Sequence, residues 1–567
     1  MLRVSRVLGL AALAVLGPAS ATHGCLPTHP PELSSPEGSG GASDTSMRAG
    51  SGVSSEAPVR DAGVSSESLL GADSLFANAL VIPPVLAPTS TDSHADYYSI
   101  TIKSGTAQMK SGNPTPIVGF NGISPGPTII ATRGRAVHVT QTNAWTENVT
   151  IHNHGHKAPA DSDGHPTAYI VPGASKEYTY PNDQAASTYW YHDHTMDLTG
   201  PHVYQGLAGF YIIHDPAEDA LNLPSGAYDV PLMIADKAFS ADNTLSYIED
   251  PFEGFLGDTA VVNGVATPHY DVGTRKYRFR LLNASNSRPL VLQLQVAGSS
   301  TVPFQVIASD GGLLAAPVTL TSLPIAPAER YDIVVDFGSY PVGTKLTLIN
   351  TDVAVGFGAG RGGRGGFGGF GGRGKSGGFG GRGGFAGFGG RGGFGGRGAG
   401  RGGFGGGRIP FLTDVMQFVV SRSEKDTSSV PATLREIAPY PASAAVGTRH
   451  IVLGFGDLVW TMNGLVYDPA RIDETSKVGQ VYIWSIQNLS PMMHPFHKHL
   501  TEFNVLDIDG QPPPAYAAGW KDTVEVPAGS TVRIIFKDER FTGTYVLHCH
   551  RLEHEDHRMM LQERVVP

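Results

Sequence analysis

From residue 86 onward, apolar and polar residues tend to alternate in short runs broken by glycine and proline. Such runs cover residues 98–102, 128–132, 136–142, 175–180, 209–214, 229–234, 276–283 and 290–296. Others follow at 332–337, 345–350, 415–420, 481–487, 503–508, 531–536 and 543–548. A period of two is the signature of strands with one buried face. No long segment with a 3.6-residue period competes with it. The pattern predicts an all-β chain of sandwiches or barrels in about three units. With 567 residues, three to four domains of roughly 100–200 residues each are expected.

Three stretches fall outside the pattern. Residues 1–21 read as a secretory signal. Arg3 and Arg6 precede a short apolar run, and Ala19-Ser20-Ala21 offers a small-residue cleavage site. That run is too short to span a bilayer. Residues 22–85 read as a disordered leader, most of it rich in Ser, Gly, Pro and Glu, with few aromatics. The third stretch, residues 356–408, is nearly all Gly, Arg and Phe and has no acidic residue. It cannot bury enough apolar surface to offset the entropy of ordering it. It reads as a disordered loop inserted in the middle unit. The expected units are then residues 86–222, 223–425 and 426–567.

Charge narrows the partners. The formal net charge is −10, which argues against a nucleic-acid binder overall. The insert carries nine cations, Arg361, Arg364, Arg373, Lys375, Arg382, Arg391, Arg397, Arg401 and Arg408. The remainder is therefore still more acidic, with one basic loop. Arg-Gly-Gly repeats with Phe resemble RNA-binding segments. A secreted chain meets acidic polysaccharide, a cell surface or itself more readily than RNA. The expected location is secreted, periplasmic or cell-surface. A lipid anchor on Cys25 is the weaker alternative, because Thr22-His23-Gly24 fits a lipoprotein signal poorly.

There are two cysteines, Cys25 and Cys549. Cys549 lies between His548 and His550 with no plausible disulfide partner in the folded region, so it reads as a metal ligand. In a strand, successive side chains face opposite ways. His548 and His550 then share one face while Cys549 takes the other. One short segment can serve two metal sites. On the cysteine face, two imidazoles and a weak axial group would complete a blue-copper site. His554 and Met559 are close in sequence, and His494 can supply the second imidazole.

The remaining candidates form four His-x-His pairs: His152 and His154, His192 and His194, His497 and His499, His548 and His550. Eight imidazoles without a carboxylate or thiolate suit copper rather than calcium or magnesium. They are too many for one zinc ion. His138, His269 and His450 have no partner spacing and read as ordinary residues. His156, His165, His202 and His557 lie near the motifs, and a bystander role is the simpler reading for each.

The ordered strings His152-Asn153-His154-Gly155, Trp190-Tyr191-His192-Asp193-His194, His494-Pro495-Phe496-His497-Lys498-His499 and His548-Cys549-His550, with His554 and Met559, resemble the multicopper oxidase signature. Further strings are similar to the branch holding spore-coat laccases and bilirubin oxidases. These are Asp161-Ser162-Asp163-Gly164, Gly206-Leu207-Ala208-Gly209-Phe210, Ser309-Asp310-Gly311-Gly312, Ala326-Pro327-Ala328-Glu329-Arg330-Tyr331-Asp332 and Leu552-Glu553-His554-Glu555-Asp556. The resemblance covers about residues 86–567 outside the insert. It implies three cupredoxin-like Greek-key β-sandwich domains and four copper ions. Type 1 copper would take His494, Cys549, His554 and axial Met559. Type 2 copper would take His152 and His497. The type 3 pair would take His154, His192, His194, His499, His548 and His550. Asp163 and Glu555 match positions that handle protons. Asn153 departs from the large apolar residue common in laccases.

The implied activity is laccase-like: one-electron oxidation of phenols or aromatic amines coupled to reduction of O2 to water. Bilirubin, Cu(I), Fe(II) and Mn(II) are the other donors considered. The 11 methionines are dispersed and form no Met-rich insert of the kind that would favour cuprous ion. A copper-binding protein without catalysis is the remaining class. Asn148, Asn283 and Asn488 head glycosylation sequons.

Overall fold

The computed structural model describes residues 75–352 and 411–567, apart from residues 297, 299 and 457. The signal segment, Cys25, the leader up to residue 74 and the insert lie outside the described residues. Strands dominate, and they form six sheets. Strands between Ser90 and His214 build a five-stranded and a four-stranded sheet. Those between Asp229 and Arg422 build sheets of seven and six strands, and those between Ala445 and Val566 sheets of six and five.

Each pair of sheets encloses one apolar core, as burial of one face per sheet requires. The first core packs Ile100, Val137 and Tyr178 of one sheet against Ile129, Tyr189 and Tyr211 of the other. The second packs Leu232, Phe279 and Val306 against Leu292, Leu348 and Phe418. The third packs Ile451, Trp484 and Ile534 against Phe496, Leu547 and Leu561. The all-β sandwich architecture expected from the alternation is present. Ala136–Asn143 shows it most cleanly, with buried and half-buried residues in strict turn.

The strands that carry histidines behave differently. Ile151–His154, Ser187–Asp193 and His494–Lys498 are buried at every position. One face meets its own sandwich core and the other meets a neighbouring domain. Trp190, Met233, Leu282, Ala328 and Leu552, drawn from all three domains, share one buried cluster there.

One expectation needs correction. The leader predicted to stay disordered to residue 85 is ordered from residue 75. The Leu80 N–H donates to the His269 carbonyl at 2.7 Å, and Leu80 joins the second core. Val85 bridges to Thr128 of the first domain. This segment runs as a single strap with Pro83 and Pro84, so it has no alternation to read. Two sequons are also inaccessible: Asn283 and Asn488 are fully buried, and each side-chain amide donates to two backbone carbonyls. The insert joins Lys345–Asn350 to Asp414–Arg422, which pair antiparallel.

Candidate metal centre

Cross-strand register creates the site. His152 pairs opposite His192, and His497 pairs opposite His548. Phe496 pairs opposite Cys549 on the other face. Cys549 therefore enters the apolar core of the last domain, while His548 faces the first domain.

On the core side, Cys549 is fully buried and, among the described residues, is a free thiol. His494 Nδ1 and His554 Nδ1 lie 3.4 and 3.7 Å from its Sγ, and 3.4 Å from each other. The far nitrogen of each ring is already engaged. His494 Nε2 is 2.8 Å from the Ser490 hydroxyl, and His554 Nε2–H donates to the Phe252 carbonyl at 2.8 Å. Both rings thus turn Nδ1 toward the sulfur, the orientation that an outer hydrogen bond imposes on a ligand. Met559 is fully buried in the same apolar cluster, and its carbonyl accepts the Cys549 N–H at 3.1 Å. Trp460 stacks on His554 with ring centroids 4.4 Å apart. Burial pushes the Cys549 thiol up to about 12. A thiolate here requires a cation beside it.

On the interface side, eight imidazoles converge. His194 Nε2 and His548 Nε2 each lie 3.3 Å from His499 Nε2. His154 and His497 stack at 3.8 Å, and His152 and His499 at 3.7 Å. His550 lies 4.9 Å from His154 and 5.4 Å from His192, measured between ring centroids. Outer nitrogens are again engaged: His152 Nδ1–H donates to the Asp163 carbonyl at 2.6 Å, and His192 Nδ1–H to the Asp193 carbonyl at 2.7 Å. His497 Nδ1–H donates to the Asp522 carbonyl at 2.8 Å. His154 is reversed, its Nε2 lying 3.0 Å from Asp522 Oδ1. The inner atoms His152 Nε2, His154 Nδ1, His192 Nε2, His497 Nε2 and both nitrogens of His550 have no hydrogen-bond partner.

So many orphaned buried nitrogens facing one another would be costly in a protein that held nothing there. Burial and mutual repulsion hold His152, His154, His192, His497, His499 and His550 well below the usual histidine range. Neutral imidazoles keep their lone pairs for metal. The donor set of nitrogens with one sulfur fits copper. The same residues recur in compact triads: His194, His499 and His548; His152, His154 and His192; His152, His497 and His499; His494, Cys549 and His554.

Both carboxylates singled out in the sequence touch this cluster. Asp163 Oδ2 is 2.8 Å from His499 Nδ1, and burial pushes its carboxyl up to about 7. Glu555 spans two rings, 3.0 Å from His194 Nδ1 and 3.1 Å from His548 Nδ1. Burial works to raise its carboxyl, but His194 and His548 hold it well below the ordinary range. The Thr199 hydroxyl also donates to Glu555, at 2.7 Å.

The bystander histidines stay outside the convergence. His156 meets Asn182 and His165 meets Gln562, while His202 lies 3.0 Å from Asp193. Asn153, between His152 and His154 along the strand, is buried, and its side-chain amide has no hydrogen-bond partner. Sequence reading missed Ser490, Phe252, Trp460, Asp522 and Thr523. None lies in a metal-binding string, and only the fold brings them to the rings.

Comparison with known proteins agrees with this geometry. Residues 101–218, 251–346 and 443–567 match family models described as multicopper oxidase. A laccase of Bacillus subtilis is 34% identical, with 86% of this chain and 97% of that protein covered. A bilirubin oxidase of Albifimbria verrucaria is also 34% identical, with 86% and 80% covered. Among solved structures, a laccase from Pediococcus acidilactici aligns with a TM-score of 0.72 at 30% identity, covering 86% of this chain and 94% of that one. With family matches in all three sandwiches and copper-suited donors in the first and last, the chain belongs to the multicopper oxidase family.

Proposed function

We propose that this copper oxidoreductase takes single electrons from phenolic or aromatic-amine donors and delivers them to O2. In this reading His494, Cys549, His554 and Met559 would hold type 1 copper. His152 and His497 hold type 2 copper, and His154, His192, His194, His499, His548 and His550 hold the type 3 pair. The carrying observation is the shared segment: Cys549 serves one site and its neighbours His548 and His550 serve the other. When bound, the four coppers let four one-electron oxidations match the four-electron reduction of O2 to two waters.

The chain's own groups support that chemistry. A dry apolar shell around Cys549 sets the potential of its site. The Cys549 backbone provides a covalent path to both flanking imidazoles. Asp163, whose carboxyl burial pushes up to about 7, accepts from His499 at Oδ2 and can keep or release a proton at its unpartnered Oδ1. Glu555 stays ionised and orients the His194 and His548 rings.

The donor side favours an organic molecule. Phe252, Phe455 and Trp460 form an aromatic path to His554, with centroid steps of 5.3, 4.5 and 4.4 Å. Leu458, between Phe455 and Trp460 in the chain, is 82% exposed. A flat apolar ring packs on such a wall. Glu253 beside Phe252 is buried and lies 3.5 Å from Arg551.

No described helix is long and apolar enough to cross a membrane. The proposed secreted, periplasmic or cell-surface location rests on residues 1–21. A role for the insert in binding acidic surfaces rests on its nine cations. Steady-state kinetics with a phenol, bilirubin, Cu(I), Fe(II) and Mn(II) test the donor. The highest kcat/KM for the phenol supports this reading, and preference for a metal ion overturns it. Cys549→Ser should abolish the blue absorption and phenol-dependent O2 uptake together.

A further inference from the structure

The middle domain contains none of the proposed copper ligands, yet one of its residues ties three of the four histidine segments together. Arg330 starts the strand Arg330–Asp336 and is fully buried. All five of its N–H groups have acceptors. Nε donates to the Thr188 carbonyl at 2.9 Å, on the strand that carries His192. Nη1 donates to the Ala328 carbonyl at 3.1 Å and to Asp522 Oδ1 at 2.7 Å. Nη2 donates to the Asp310 carbonyl at 3.2 Å and to Asp522 Oδ2 at 2.5 Å.

Asp522, gripped by this fork, faces two imidazoles. Its Oδ1 is 3.0 Å from His154 Nε2, and its main-chain carbonyl accepts from His497 Nδ1 at 2.8 Å. The Thr523 hydroxyl lies 3.0 and 3.2 Å from the same two nitrogens. These contacts settle which nitrogen of each ring faces inward: Nδ1 for His154 and Nε2 for His497. A second observation is independent of the charges. Gly155, next to His154, has φ of +81°, and a Cβ there would lie 2.3 Å from Asp522 Oδ2 and 3.0 Å from Arg330 Nη2. The glycine of the His-x-His-Gly string leaves room for this pair.

We propose that Arg330 is a positioning residue for the histidine cluster, acting through Asp522 on His154 and His497. The middle domain thereby sets the geometry of a site whose ligands come from the other two. The proposal rests on the ligand assignment above. Without the guanidinium, Asp522 is a buried carboxylate with no counter-charge. Nothing then holds the carboxylate in its orientation, and when it turns away the His154 ring loses the carboxylate acceptor that helps fix its tautomer. Lysine keeps the charge but cannot supply the planar fork.

The test uses the copper-loaded full-length enzyme and its Arg330→Lys, Gly155→Ala and His154→Ala variants. Copper per chain, release of copper to a chelator and the blue absorption are followed together. Arg330→Lys should release copper from the histidine cluster at least ten-fold faster than the parent, with the blue absorption intact. Gly155→Ala should do the same by wedging Asp522 aside, and it decides the matter if Arg330→Lys does not fold. Unchanged release overturns the proposal. So does parallel loss of cluster copper and blue absorption with a lowered unfolding temperature, which would make Arg330 a general clamp. His154→Ala separates the two levels. If it too leaves release unchanged, the ligand assignment has failed. If it speeds release while the other variants do not, only the positioning role has failed.

Discussion

Cys549 shares an apolar cluster with Met559, Phe496, Leu547 and Leu561. Dryness and a weak axial group both favour the reduced form of a copper–thiolate site, and the axial residue is the easier one to vary. Met559→Leu keeps the apolar volume and removes the thioether. The reduction potential of the blue site should rise by tens of millivolts or more, with copper content unchanged. A redox titration that finds the same midpoint in parent and variant removes Met559 from the axial position. The histidines and the cysteine that converge were legible as candidates in the sequence, because copper takes few side-chain types and a strand places alternate residues on one face. Their orienting partners were not. Ser490 and Phe252 reach His494 and His554 through a hydroxyl and a carbonyl, groups that almost any sequence offers. Asp522 reaches His154 across 368 positions.

At the scale of elements, alternation was a reliable guide only where a strand had a wet face. Ala136–Asn143 shows that pattern, but Ile151–His154 and Ser187–Asp193 are buried throughout and were found through their histidines. Strand partners were not legible at all. Ala95–Ala107 runs parallel to Ala136–Asn143, and Asp229–Lys237 parallel to Lys276–Asn283. Such pairings depend on how whole sheets close rather than on any local residue. The turn Asp161-Ser162-Asp163-Gly164 illustrates how an element serves the site. Gly164 has φ of +82°, and a Cβ there would lie 2.2 Å from the Ile151 carbonyl oxygen and 2.7 Å from the His152 Cα. Both obstacles are backbone of the histidine strand and cannot swing aside. Gly164→Ala should therefore cost about 1–3 kcal/mol in strain alone. It should also lower turnover by moving Asp163 away from His499. Denaturant unfolding and kcat measured on one preparation check this. Full turnover in a destabilised variant would mean that the turn supports the fold without placing the carboxylate.

At the scale of the whole molecule, acidic body and basic insert are separable by position. The insert closes a hairpin between Lys345–Asn350 and Asp414–Arg422, and the proposed copper ligands lie in the sandwiches on either side of that domain. The entropy of closing a loop grows with the logarithm of its length. Replacing residues 356–408 by a direct connection shortens that loop several-fold, so it should stabilise the middle domain by only about 1–2 kcal/mol. Copper content and phenol oxidation should match the parent, because Arg330 and the strands that hold it remain. The electrostatic consequence is larger. Removing nine cations leaves a uniformly more acidic surface, which repels polyanions. Adsorption to an immobilised acidic polysaccharide at low ionic strength should be strong for the full chain, should weaken as salt is added, and should vanish in the deletion. Equal adsorption of both forms would place the interaction elsewhere on the body, and loss of copper from the deletion would show that the insert supports the fold as well as the surface.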